Sequence, residues 1–111
     1  MSRKFITTHV FDVRWEALGF DDEDLRTLQN MLLANPKLGD VMQGTGGARK
    51  MRFAFEDRGK SGSIRVLYVD VEVKEIIVLL TVFAKAKQGN LKDDEKEAYR
   101  KKLRFIKKEV Q

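Results

Sequence analysis

The chain contains no cysteine, which excludes disulfides, a thiolate nucleophile and most structural zinc, and is compatible with a reducing cytoplasm. Its single histidine, His9, has no second imidazole with which to build a metal site, so no metal and no cofactor is expected, and His9 is read as structural or surface-facing. No GxSxG elbow or Ser/His/Asp set is present, and paired carboxylates occur only at helix starts and loops, where capping accounts for them. The longest apolar run, IIVLLTVFA at 76–84, is too short to cross a bilayer as a helix. The opening MSRKFITTHVF lacks the apolar core of a signal peptide. A soluble, cytoplasmic protein is expected, with no membrane partner.

What is present is positive charge, unevenly spread. Residues 1–48 carry five Lys/Arg against seven Asp/Glu, whereas residues 49–111 carry seventeen against ten, within a net charge of +5. A basic half joined to a mildly acidic half suggests one positive surface facing a polyanion.

At 111 residues, 42% of them hydrophobic, the chain fits one domain spanning 1–111 with its own core. FITTHVF (5–11) predicts a first strand, with a short helical piece around Val13–Leu18. Phe20, Asp21 and Leu25 have the spacing of a hydrophobic staple around an N-cap. Asp22, Glu23 and Asp24 suit the positive end of the helix that follows. Leu25, Leu28 and Leu32 make its apolar stripe, and Asn35-Pro36 stops it. Met51, Phe53 and Phe55 alternate with polar partners, a strand with one buried face. DRGKSGS (57–63) is a hairpin loop. IRVLYVDV (64–71) and EIIVLLTVFA (75–84) are apolar on both parities and predict an antiparallel pair in the middle of a sheet. A last helix carries Tyr99, Leu103, Ile106 and Val110 on its apolar stripe. The result is an α+β fold: an antiparallel central sheet, two N-terminal helices and a C-terminal helix.

Four glycines crowd GDVMQGTGG, directly before Arg49, Lys50 and Arg52. The GxxxxG spacing resembles a phosphate loop, but Thr45 stands where lysine is required, and a strand follows instead of a helix. The glycines are therefore expected to turn the chain through positive φ. Arg49, Lys50, Arg52, Arg58, Lys60 and Arg65 fall within seventeen residues, and Lys85 and Lys87 follow the last strand. Antiparallel pairing would gather them. By strand parity Arg65 shares a face with Leu67, Val69 and Val71, and Lys85 with Leu79, Thr81 and Phe83. Charges so placed either reach solvent at strand ends or line a pocket for a phosphodiester. Lys101, Lys102, Lys107 and Lys108 are expected to be a solvated face complementing the end of the last helix, ahead of a second RNA surface.

The runs NPKLGDVMQGTGGARKMRF, RGKSGSIRVLY and LLTVFAKAKQGNL, in this order before a final helix, resemble the HigB-like branch of the RelE toxins, within the RelE/ParE superfamily. The resemblance spans nearly the whole chain. It implies a toxin of a type II toxin–antitoxin pair, neutralised by a helix-turn-helix, HigA-like antitoxin. It further implies a ribosome-dependent, metal-independent mRNA endoribonuclease in which the ribose 2′-OH attacks the adjacent phosphate and leaves a 2′,3′-cyclic end. Carried onto this chain, Arg65 would clamp the phosphate and Lys85 would stabilise the leaving oxygen. Arg49, Lys50 and Arg52 would hold flanking RNA, Arg58 and Lys60 would grip mRNA or rRNA backbone, and Lys87 would add to that surface. Many relatives carry tyrosine at the position of Phe83, which keeps stacking and lacks the hydroxyl. This departure keeps two alternatives open: a non-cleaving toxin of the gyrase-inhibitor type, or an inactive antitoxin-binding remnant. Tyr68, on the opposite parity from Arg65, is a poor substitute.

Overall fold

The computed structural model describes residues 3–53, 64–84 and 92–109. In chain order they form β1 (Lys4–Thr7), α1 (His9–Ala17), α2 (Asp22–Ala34), β2 (Asp40–Val41), β3 (Arg49–Phe53), β4 (Ile64–Val71), a 3-10 turn (Glu72–Lys74), β5 (Ile76–Ala84) and α3 (Asp93–Glu109). The strands make one mixed sheet in the order β1-β5-β4-β3-β2. β3, β4 and β5 are antiparallel as expected, while β1 joins the β5 edge in parallel. Arg3, just before β1, reaches β4 by donating from Nε and Nη2 to the carboxylate of Asp70, at 2.9 and 3.3 Å. No helix among the described residues is long and apolar enough to cross a membrane.

The first strand is shorter than its composition suggests. Thr8 ends it by capping α1: its Oγ1 accepts from the Phe11 N–H at 3.0 Å and donates to the Leu80 carbonyl at 2.7 Å. A threonine offering its side chain to the backbone competes with strand pairing. Val10 and Phe11 therefore lie in a helix, and His9, expected in an apolar strand, is the exposed first residue of α1. α2 begins as expected. Asp21 and Asp24 each accept the other's backbone N–H, a reciprocal capping box. Phe20 and Leu25 pack into one core around it.

Both faces of the sheet are covered, which explains why β4 and β5 are apolar on both parities. On one side α1 and α2 bring Phe11, Trp15 and Leu28 against Phe53, Val66 and Tyr68. On the other, Leu103 of α3 covers Leu67, Val69 and Leu80. The β4–β5 register skips a residue: Leu67 opposes Thr81 while Tyr68 opposes Leu79, leaving Leu80 as a bulge. A bulge reverses the alternation beyond it. Leu79 therefore packs on the α1/α2 side, whereas Phe83 packs on the α3 side, and the expectation that Leu79 and Phe83 share a face is corrected.

The glycine turn is what its composition suggests. Gly44, Gly46 and Gly47 have φ of +81°, +81° and +115°. Thr45, the residue that breaks the phosphate-loop pattern, is buried and closes the turn from inside. Its Oγ1 donates to the Met42 carbonyl at 2.6 Å and accepts from the Ala48 N–H at 3.1 Å. The glycines turn the chain so that β3 can start.

Candidate nucleic-acid interface

In β3, Met51 and Phe53 point into the α1/α2 core, so alternation sends Lys50 and Arg52 to the α3 side. Register then builds two cross-strand rows. Arg52 lies opposite Arg65, and Arg65 opposite Phe83; one step inward, Lys50 lies opposite Leu67 and Leu67 opposite Thr81. Arg52 is exposed, and Lys50, Arg65 and Phe83 are half-buried. Residues directly opposite on neighbouring strands have Cβ atoms about 5 Å apart, and like charges there repel. Two arginines so placed concentrate positive charge at the end of the sheet, where an anion with several oxygens would be attracted to both. Beside them Phe83 offers a partly exposed ring, a surface on which a base can stack.

Two further side chains reach this region. Arg14 of α1 donates from Nη1 to Thr81 Oγ1 at 3.0 Å. Tyr99 of α3 packs against the same apolar cluster as Phe83. Burial pushes the Tyr99 phenol above its usual pKa, with the charge of Arg14 acting in the opposite sense. Its hydroxyl therefore holds its proton at neutral pH. Sequence reading missed both: Arg14 sits in the acidic half of the chain, and Tyr99 reads as one more apolar position of an amphipathic helix. Only the packing of α1 and α3 brings them here.

Arg49 is not brought to these rows. It opposes Tyr68 in the register, on the α1/α2 side, and its Nη1 donates to the Gly39 carbonyl at 2.7 Å. Tyr68 completes this anchor, accepting from the Gly39 N–H at 2.8 Å and donating to the Pro36 carbonyl at 2.9 Å. Tyr68 is thus a poor stand-in for the missing tyrosine, since its hydroxyl is occupied on the far face. Arg58, Lys60, Lys85 and Lys87 lie outside the described residues.

Burial is the main cause that raises the Tyr68 pKa above its ordinary value, with the Gly39 N–H opposing it. A phenol whose folded pKa is raised contributes stability that is complete below about pH 10 and is lost as pH climbs through the folded value. Denaturant unfolding at about pH 8 and about pH 10.5 should therefore show an alkaline loss that is smaller in Tyr68→Phe. Part should persist in that variant, because Tyr99 is shifted the same way. At neutral pH Tyr68→Phe should itself cost about 1–3 kcal/mol, the penalty of leaving buried backbone groups of the 36–39 segment without their partner.

Fold and site together define a small basic α+β protein with Lys50, Arg52 and Arg65 grouped at one end of the sheet. The chain belongs to the RelE toxin family: the model of the RelE toxin of the RelE/RelB toxin–antitoxin system matches residues 10–109. It is thus a toxin of a toxin–antitoxin system, and an antitoxin is its implied partner. Solved structures that share its fold include two of E. coli RelE. A double mutant of E. coli RelE in the free state superposes with a TM-score of 0.61 at 14% identity, over 93% of this chain and 98% of that one. The isolated E. coli RelE toxin gives 0.55 at 14% identity, over 95% and 99%.

Proposed function

We propose that this toxin is a ribosome-dependent, metal-independent mRNA endoribonuclease of the HigB-like branch, acting in the cytoplasm and restrained by a HigA-like, helix-turn-helix antitoxin. The observation that carries this reading is the row Arg52–Arg65–Phe83, with Lys50 one step inward. In the proposed reaction the ribose 2′-oxygen bonds to the adjacent phosphorus and the bond from phosphorus to the 5′-oxygen breaks. The 2′ proton leaves to a base, and the departing 5′-oxygen takes up a proton. The upstream fragment ends in a 2′,3′-cyclic phosphate.

Negative charge builds on the non-bridging oxygens as the phosphorane forms, and donors fixed in advance stabilise it. Arg65 supplies a forked donor to those oxygens, with Arg52 opposite it. Lys50 holds the flanking backbone and Phe83 stacks a neighbouring base. Tyr99 is the candidate proton donor: its phenol is protonated at neutral pH, and the nearby charge of Arg14 lowers its pKa against the effect of burial. Lys85 is assigned to the leaving oxygen, and Arg58, Lys60 and Lys87 to the RNA backbone. Arg49 acts as a positioning residue, through its hydrogen bond to Gly39.

The test is induction of the chain without antitoxin, followed by mapping of transcript ends. Cuts inside translated reading frames, with cyclic phosphate on the upstream fragments and none when ribosomes are kept off the message, are expected. Intact transcripts accompanied by gyrase–DNA complexes would replace this reading with a gyrase inhibitor, and unimpaired growth would make the chain an inactive remnant.

A further inference from the structure

The apolar stripe of α3 faces the sheet: Leu103 is buried there, and Tyr99 and Ile106 pack beside it. Phe105 is not part of that stripe and is 63% exposed. At helical spacing its neighbours at i−4, i−3 and i+3 are Lys101, Lys102 and Lys108, with Arg104 alongside, and all four are exposed. A single exposed apolar residue is ordinary. A ring set among four cations is a specific combination, because it joins a stacking platform to phosphate-binding charge.

The opposite side of the helix fixes how this face is presented. Lys107 Nζ donates to the Gly46 carbonyl at 2.8 Å, and a Cβ added at Gly46 would meet Arg100 at 3.7 Å, so α3 lies directly on the glycine turn. Lys107, expected to belong to a uniform solvated face, is thus taken up in the fold. Lys101, Lys102 and Lys108 are left outside with the ring.

We propose that the outer face of α3 is a second RNA-binding surface, separate from the cross-strand rows, that receives a structured RNA offering an unstacked base to Phe105 and phosphates to Lys101, Lys102, Arg104 and Lys108. This rests on the reading of the chain as an RNA-acting, ribosome-dependent toxin, in which the structured RNA is ribosomal. A membrane surface suits the face poorly. An interfacial helix needs a broad apolar side, and α3 spends its own on the sheet. A protein partner suits it poorly as well, because interface cores are depleted in lysine.

The test uses the full chain and purified bacterial 70S ribosomes carrying no mRNA, with binding read by co-sedimentation over a range of salt. Phe105→Ala should bind roughly 5- to 160-fold more weakly, the span seen when a stacking aromatic is removed, and Phe105→Trp should bind like the parent. The combined Lys101→Gln, Arg104→Gln, Lys108→Gln variant should lower the slope of log affinity against log salt by about 2–3. These positions are exposed, and unchanged far-UV circular dichroism checks the fold. Parental affinity and slope in both variants, or no ribosome binding by the parent, overturns the proposal. So does loss of neutralisation by co-expressed antitoxin with ribosome binding intact, or a greater loss of binding to equimolar phosphatidylglycerol–phosphatidylethanolamine vesicles than to ribosomes. Transcript mapping separates the two readings: transcripts cut by a chain whose α3 variants bind normally sink only this surface, and weakened binding by those variants alongside uncut transcripts sinks only the nuclease.

Discussion

On the proposed nuclease reading, replacing Arg65 with alanine is expected to slow cleavage of ribosome-bound mRNA by about 10²- to 10³-fold, the usual effect of deleting one donor aimed at developing charge. Arg65 is half-buried, opposes Arg52 in the register and donates from Nη1 to the Ile64 carbonyl at 3.4 Å, so a thermal melt read beside the rate separates a lost contact from lost chemistry. Arg65→Lys should fall between, because an ammonium keeps the charge and loses the fork that engages two phosphate oxygens. Arg52→Ala, at an exposed position, should cost less, because solvent screens a charge held in water. Single-turnover cleavage on programmed ribosomes reads all three, beside thermal melts of the same proteins. A parental rate in Arg65→Ala would mean that the phosphate is held elsewhere.

Gly39→Ala is expected to have the largest effect on stability of any single methyl added to the glycines of the described chain. A Cβ at this position would sit 2.8 Å from the Lys50 carbonyl oxygen and 3.1 Å from a ring carbon of Tyr68. Backbone cannot yield as a flexible side chain does. Both polar groups of Gly39 are also committed, its N–H to Tyr68 and its carbonyl to Arg49. Overpacking together with the strained or lost hydrogen bonds should cost about 2–4 kcal/mol, a fall in melting temperature of roughly 10 °C for a domain of this size. Gly19→Ala is the contrasting case. Nothing lies within 4 Å of a Cβ built there, and its φ of +88° leaves only backbone strain, about 1 kcal/mol. Thermal unfolding of the two variants should rank them in that order, and equal losses would remove the argument from close approach.

Much of the fold was legible because local rules and burial agree along the chain. The staple and N-cap around Asp21, the stop at Asn35-Pro36 and the doubly apolar β4 and β5 each follow from side chains within a few residues of one another. Where reading failed, a distant contact decided the outcome. Thr8 could have continued a strand, but its hydroxyl is engaged by the Leu80 carbonyl, and the chain enters α1 instead. The bulge at Leu80 is invisible in IIVLLTVFA, since every residue there suits either face. It reverses the side taken by Phe83 relative to Leu79 all the same.

The candidate site divides in the same way. Lys50, Arg52 and Arg65 could be nominated from strand alternation and antiparallel pairing, because β residues of one parity must share a face, whereas Phe83 was nominated by the family resemblance alone. Arg49 could be nominated by proximity in sequence, and its parity then sends it to Gly39. Arg14 and Tyr99 had no sequence signal, since each reads as an ordinary position of its own helix. Phe105 was hidden for a related reason: a phenylalanine in a helix is assumed to face the core until the other apolar positions are seen to fill it.

The sequence by itself determined most of the helix and strand segments, with the first strand misjudged and the short β2 unforeseen, and that positive charge gathers in the second half. It also determined that disulfide and thiolate chemistry are excluded, because each of these depends on residue type and near neighbours alone. Tertiary structure decided which cations stand together, which tyrosine is committed to the backbone and which is held beside an arginine, and which aromatic ring is left in water. Those outcomes depend on strand register and on how α1 and α3 dock against the sheet, and docking is set by the sum of many distant contacts that no short stretch of sequence contains.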